Sequence, residues 1–392
     1  MLNTNFSPWP SFSEEEAEIA KKIILSNKVN YWTGTECRQF ENDFAKFSDC
    51  SYAIAVGNGT LALDLALKCL EIGKGDEVIV TSRTFLASVS SIINAGAKPV
   101  FVDVSSNSQN ITPENILSAI NLKTKAILCV HLAGWPCSMD EIQAIAKKNS
   151  LFIIEDCAQA HGAKYKEKSV GSFGDVGCWS FCQDKIITTG GEGGMVTTNN
   201  KKLWEKMWAY KDHGKSFNAV YKKKHPYGFR WLHESFGTNW RMTEIQGAIG
   251  RYQLTKIEEW TRIRNKNQNA IWDSCNSING LRVPIINNKI FEHAAYKCYV
   301  FIEKDKLKSG WTRDRIIKEI NEKGVPCFSG SCSEVYLEKA FDNTSFRPKK
   351  RLSVAKKLGE TSLTFLIHPT ITQKEIKLTC KAIKEVMNHA AD

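Results

Sequence analysis

The chain has 392 residues, 42% of them hydrophobic and 24% charged, with a formal net charge of +11. Such a composition builds a globular protein of about two ordinary domains, and it contains no long Pro/Ser or Gln/Asn tract of the disordered kind. No apolar run is long enough to span a bilayer, and the opening MLNTNFSPWPSFSEEEAEIA lacks the basic and apolar regions of a signal peptide, so a cytoplasmic location is expected.

The first half alternates short apolar strands with helical patterns, which predicts a mainly parallel sheet covered on both faces. YAIAVGNG is a strand entering a turn, and TLALDLALKCLEI has helical spacing. DEVIVTS is a strand, followed by the helix TFLASVSSIINAG, which stops at Gly96. KPVFVDV, TKAILCVH and SLFIIEDCA are further strands, with the helix SMDEIQAIAKKN between the last two. VGCWSFC is another strand, and GGMVTTN is expected to pair beside it. Beyond about Gln253 a long helix, LTKIEEWTRIRNKNQNAIWDSC, leads out of the first domain. AYKCYVFIEK, RDRIIKEINEKG and TQKEIKLTCKAIKEVMNHA then predict a smaller α+β domain, which divides the chain into residues 1–255 and 256–392.

Four features fall at carboxyl ends of predicted strands, where open α/β sheets place their ligands. GNGTLAL puts Gly59 and Thr60 at a strand-to-helix turn, where free N–H groups and a hydroxyl suit a phosphate or simply cap the helix. Phe85, in TSRTFLAS, follows a strand end and serves either as a stacking face for a flat ring or as core. Asp156 closes the apolar strand of IIEDCAQAHGA, a costly place for a carboxylate unless it is paired, for instance with a protonated ring nitrogen. In SFCQDKIITTGGEGGM, Lys185 follows Ser180 and precedes four glycines within five residues. Alone it is a surface lysine before a turn as readily as an amine that forms a Schiff base with an aldehyde. Together, a phosphate cup, a stacking ring, a carboxylate for a ring nitrogen and an imine-forming lysine match pyridoxal 5′-phosphate.

Over nearly its whole length the chain resembles the DegT/DnrJ/StrS family of sugar aminotransferases, most specifically in EDCAQAHGA, SFCQDKIITTGGEGGM and GTNWRMTEIQGAIGRYQL. The resemblance implies an aspartate-aminotransferase-like fold (pyridoxal phosphate fold type I). It also implies transfer of an amino group from L-glutamate to a nucleotide-linked ketosugar, such as a 4-keto-6-deoxy sugar, for polysaccharide, glycan or secondary-metabolite synthesis. By the same resemblance Lys185 would hold the cofactor covalently, Asp156 would pair with its ring nitrogen and Gln159 would sit against its ring oxygen. Phe85 would stack on the ring, and Gly59, Thr60 and Ser180 would hold the phosphate. Asn239 would reach the phosphate from a partner subunit, which implies a homodimer with shared sites. Relatives that remove a sugar hydroxyl carry His in place of the lysine, so Lys185 argues for transamination.

The glycines after Lys185 are expected to let the backbone pass close to cofactor and substrate. Glu192 contacts substrate or satisfies backbone N–H groups. His161 is expected to support Asp156 from behind, and His131 lies at the site mouth or makes a structural hydrogen bond. Gly247 and Gly250 allow close packing within the subunit or across a dimer. Residues 210–236 and the segment GVPCFSGSCSEVY are expected to set substrate preference.

Thirteen scattered cysteines suggest reduced thiols, and neither Cys178/Cys182 nor Cys327/Cys332 has zinc-type spacing with His partners, so no metal is expected. The basic clusters YKKKH and RPKKR come with no nucleic-acid-binding motif; they are solvated surface or help to hold an anionic substrate. Three rival functions stand beside transamination: another pyridoxal phosphate reaction such as sugar dehydration, a regulatory protein that binds the cofactor without turnover, and a nucleic-acid binder.

Overall fold

The structure, a computed structural model, describes residues 5–391. Its apolar runs form seven strands of one sheet: β1 (Tyr52–Val56), β2 (Glu77–Thr81), β3 (Lys98–Val102), β4 (Thr124–Val130), β5 (Phe152–Asp156), β6 (Val176–Ser180) and β7 (Gly194–Thr198). They hydrogen-bond in the order β1-β7-β6-β5-β4-β2-β3. Strands β2 to β6 run parallel. Helices cover both faces, so these strands read as continuous apolar runs with little alternation. β7 runs antiparallel to both neighbours, β6 and β1. The loop 181–193 that feeds it contains no helix to cross the sheet, so the chain returns beside β6 in the opposite sense.

The helix Gly59–Cys69 leaves β1 under a cap in which Asn58 Oδ1 accepts from Leu61 N at 2.9 Å. The helix Ala87–Asn94 follows β2 and ends before Gly96, whose φ of +85° suits glycine at this position. The helix Glu244–Leu254 lies against the helix Glu36–Phe47 of the same chain. A Cβ at Gly247 would sit 2.8 Å from Cys37 N, and one at Gly250 would sit 2.5 Å from the Phe40 ring. Both glycines therefore serve packing inside the subunit.

A second sheet, β8 (Leu281–Arg282), β9 (Cys298–Ile302), β10 (Cys327–Phe328) and β11 (Ser362–Phe365), is antiparallel in the order β8-β9-β11-β10. The helices Ile257–Asn276, Arg313–Glu322 and Gln373–Ala390 cover it around Ile271, Val300, Leu363 and Ile383. Chain order and core membership cross in two places. Val335, Tyr336 and Phe341 join the core of the large sheet, and Phe6 packs against the core of the small one. Ser7 bonds Glu375 through both its N–H and its hydroxyl. The segment around Tyr336 thus packs on the large sheet and the N-terminal residues pack on the small one.

Candidate active site

β5 ends in Asp156 and β6 ends in Ser180, on adjacent strands whose register pairs Asp156 with Cys178. The Asp156 side chain is buried, at 7% exposure. Its Oδ2 accepts from Ser88 Oγ at 2.7 Å and its Oδ1 from Ala158 N at 3.1 Å. Ser88 in turn meets Thr84 Oγ1 at 2.8 Å. Two donors leave lone pairs on a carboxylate that has no cationic partner within the described residues.

At the start of the helix Gly59–Cys69, the N–H groups of Gly59 and Thr60 precede the first intrahelical bond and find no acceptor among the described residues. A Cβ at Gly59 would lie 2.5 Å from Ser180 Cβ, so a glycine is required for this helix end to rest on the end of β6. The Ser180 hydroxyl accepts from Cys182 N at 3.4 Å and keeps its own proton to donate. A Cβ on Gly194 would run into the Asn58 carbonyl, which closes the cup from the β7 side. Phe85 stands 71% exposed one turn before Ser88, so it is not a core residue. Gln159 Oε1 accepts from Ala133 N at 2.8 Å, while its amide nitrogen is unpartnered among the described residues.

The Lys185 backbone is pinned on both sides: its N–H donates to Cys182 O at 3.0 Å, and its carbonyl accepts from Trp9 Nε1 at 2.9 Å. Its side chain is 16% exposed, with Nζ 4.0 Å from Asp184 Oδ1 and 5.2 Å from the centre of the Tyr296 ring. The Tyr296 hydroxyl donates to Asp184 Oδ2 at 2.5 Å. Lys297 Nζ lies 4.8 Å from the centre of that same ring, and Arg264 Nη1 donates to the Tyr296 carbonyl at 3.5 Å. Burial presses Lys297 down to about 8 and Arg264 down to about 9. Burial also works to raise the Asp184 carboxyl, but Lys185, the Tyr296 hydroxyl and Lys297 bring it below its usual range.

Several expectations change. His161 does not support Asp156; its ring lies between Trp179 and Phe181, at 5.3 and 5.6 Å, with neither nitrogen hydrogen-bonded. Burial first, then Lys185 and Arg264, takes it down to about 3, so it stays neutral. The support comes from Ser88. His131 is buried away from the mouth: its Nδ1 accepts from Cys137 N, so Nε2 carries the proton toward Glu155 Oε2 at 3.0 Å. His131, Glu155 and Cys157 lie close enough to share an ion, but Glu155 already accepts from the N–H groups of Gly171, Phe173 and Gly174.

Glu192 is exposed, and its carboxylate meets Cys182 Sγ at 3.9 Å and accepts from no backbone N–H among the described residues. The glycine run is explained inside the chain. Gly190 and Gly191 take φ of +83° and +123°, and a Cβ on Gly193 would run into Thr189. Asn239 is exposed; its backbone bridges Asp212, its side chain makes no hydrogen bond among the described residues, and two residues on Arg241 bridges Val56 at the end of β1. In the basic segment 347–351, Arg347 and Arg351 are already paired, with Asp342 and Glu334.

The residue set fits pyridoxal phosphate. Unpaired N–H groups and a free hydroxyl suit its phosphate, an underfilled buried carboxylate suits a protonated ring nitrogen, and an unbonded amine suits its aldehyde. Fold and site together define a pyridoxal-phosphate-dependent aminotransferase of fold type I. The chain belongs to the DegT/DnrJ/EryC1/StrS aminotransferase family, whose model matches residues 10–384. It is 61% identical to the aminotransferase from Psychrobacter cryohalolentis, covering 98% of this chain and 99% of that one, with a TM-score of 0.96. It is 34% identical to the GDP-perosamine synthase of Escherichia coli O157:H7, with 96% of each chain covered. Over 63% of this chain and 64% of the other, it is 42% identical to the dTDP-3-amino-3,6-dideoxy-alpha-D-galactopyranose transaminase of Aneurinibacillus thermoaerophilus.

Proposed function

We propose that the enzyme moves an amino group from L-glutamate to a nucleotide-linked ketosugar, for instance a 4-keto-6-deoxy sugar, to supply an amino sugar for polysaccharide or related glycans. The observation that carries this is the Lys185 amine, pinned through its backbone and free of hydrogen bonds at its tip among the described residues, in the loop that leaves β6 next to the strand that Asp156 closes. Relatives named for GDP- and dTDP-linked sugars support the acceptor class and leave the nucleotide open.

When bound, pyridoxal phosphate supplies an aldehyde that condenses with amines and a ring that accepts the electron pair left by proton removal. Lys185 Nζ takes the proton from the α-carbon of the donor and later returns one to the acceptor carbon. Asp156 holds a positive ring nitrogen by charge, and Ser88 fixes the orientation of that carboxylate. Gly59, Thr60 and Ser180 hold the phosphate with two N–H groups and a hydroxyl. Phe85 covers one face of the ring, and the free Gln159 amide donates to the ring oxygen. A base at position 185 that can also form an imine favours transamination over dehydration.

The active unit in this proposal is a homodimer in which Asn239 reaches the phosphate in the other subunit. Its exposed side chain, without a hydrogen bond among the described residues, supports this, as do the exposed Phe229, Trp231 and Phe236 of the neighbouring loop. The division at residues 255 and 256, into a cofactor-holding part and a smaller part, belongs to the same proposal. Incubation with L-glutamate and a panel of nucleotide-linked ketosugars, read by mass spectrometry, tests the function. An aminated sugar nucleotide with matching 2-oxoglutarate supports it, and no aminated product from any ketosugar refutes it.

A further inference from the structure

We propose that Lys297, with Arg264 behind it, forms the subsite for the α-carboxylate of the amino donor. This rests on the aminotransferase reading above and names a residue that sets donor affinity. Three cations surround the Tyr296 ring and backbone. The Lys185 and Lys297 amines lie 5.2 and 4.8 Å from the ring centre, and Arg264 donates to the Tyr296 carbonyl. The carboxylate that faces them is Asp184, already the acceptor of the Tyr296 hydroxyl and 4.0 Å from Lys185. Lys297 has no hydrogen bond or ion pair among the described residues; Nε and Nη2 of the buried Arg264 make no hydrogen bond there, and its guanidinium, 4.9 Å from the centre of the Trp9 ring, meets no carboxylate. Buried positive charge in excess of its partners is costly, and an anionic ligand group removes that cost.

The chemistry of the reaction selects which anion. The cofactor phosphate has its own cup of N–H groups at Gly59 and Thr60. The diphosphate of a sugar nucleotide is held away from a ring ketone by the sugar itself. An α-carboxylate is bonded directly to the carbon whose proton Lys185 removes, so it must lie beside the Lys185 amine. The side chains gathered with that amine around Tyr296 are the ones that carry the surplus charge. Burial brings Lys297 to about 8, which leaves it mostly protonated at neutral pH. Arg264, at 1% exposure, acts from behind as a second fixed charge.

The test uses the cofactor-loaded enzyme with Lys297→Met and Lys297→Arg. Spectral titration with α-methyl-L-glutamate, which has no α-proton to lose, reads binding without turnover. Loss of one charge-assisted contact predicts a dissociation constant roughly ten- to a hundredfold higher for Lys297→Met. Lys297→Arg should recover most of it, and binding of the sugar nucleotide should be unchanged in both. Unaltered melting curves establish that the variants fold. Donor affinity that survives Lys297→Met overturns the proposal, and so does a loss confined to sugar-nucleotide binding. If the unsubstituted enzyme takes amino groups from no α-amino acid, the functional reading falls first, and that outcome is separate.

Discussion

Removing the Ser88 hydroxyl tests how Asp156 is held. Ser88 is 1% exposed, and its Oγ stands 2.7 Å from Asp156 Oδ2 and 2.8 Å from Thr84 Oγ1. Replacement by alanine removes little volume but takes one of two donors from a buried carboxylate. A hydrogen bond to a charged group contributes about 1.5–3 kcal/mol, against about 0.5–1.5 kcal/mol between neutral partners. In the cofactor-free protein, Ser88→Ala should therefore cost about 2 kcal/mol in urea unfolding. In an Asp156→Asn background the same change should cost roughly 1 kcal/mol, because the charge is gone. The double-mutant cycle should give a coupling of about 1 kcal/mol, in the range found for residues in contact. Equal costs in the two backgrounds, or a cost below about 0.5 kcal/mol in the first, would refute the claim that Ser88 supports the Asp156 charge.

Acid should weaken the fold through histidines held neutral. Burial takes His161, His293 and His368 to about 3, while their unfolded value is near 6.5, so the unfolded chain binds more protons and stability falls as pH drops from about 6.5 toward 3. Each contributes up to about 1.4 kcal/mol per pH unit within that window. His161→Phe, packed against Trp179 and Phe181, should flatten this slope by about one histidine's share in urea unfolding at pH 5 and pH 7; an unchanged slope would contradict it. Asn239→Ala should weaken cofactor retention and make it depend on protein concentration, as seen by cofactor titration beside sedimentation. A monomer that binds as tightly as the dimer would rule out a shared site.

Most of the fold was legible because most strands of the large sheet are short, largely apolar runs between polar residues or glycines. The position of Asp156 was legible for the same reason, since a carboxylate at the end of a buried strand needs a partner, whereas Ser180 stood out only through the family resemblance. The direction of β7 was not legible, since an apolar run carries no sign and only the helix-free loop before it sets the sense. Ser88 went unseen because it lies 68 residues from Asp156 and carries no local pattern. His161 misled for the opposite reason: five residues past Asp156 in sequence, it turns into the aromatic pair of Trp179 and Phe181. The glycines after Lys185 signalled close approach, but the neighbours they admit are Thr189 and Asn58 of the same chain. Trp9 near the N-terminus, Arg264 on the helix Ile257–Asn276, and Tyr296 and Lys297 just before β9 gather around Lys185, and only tertiary contact joins them.

In the proposed enzyme Lys185 is the residue to which the cofactor is joined. Reduction of the cofactor-loaded protein with borohydride, followed by proteolysis and mass spectrometry, tests it directly. The added pyridoxyl phosphate mass is expected on the peptide containing Lys185, and none after Lys185→Ala. The mass on any other lysine, Lys297 included, would contradict it.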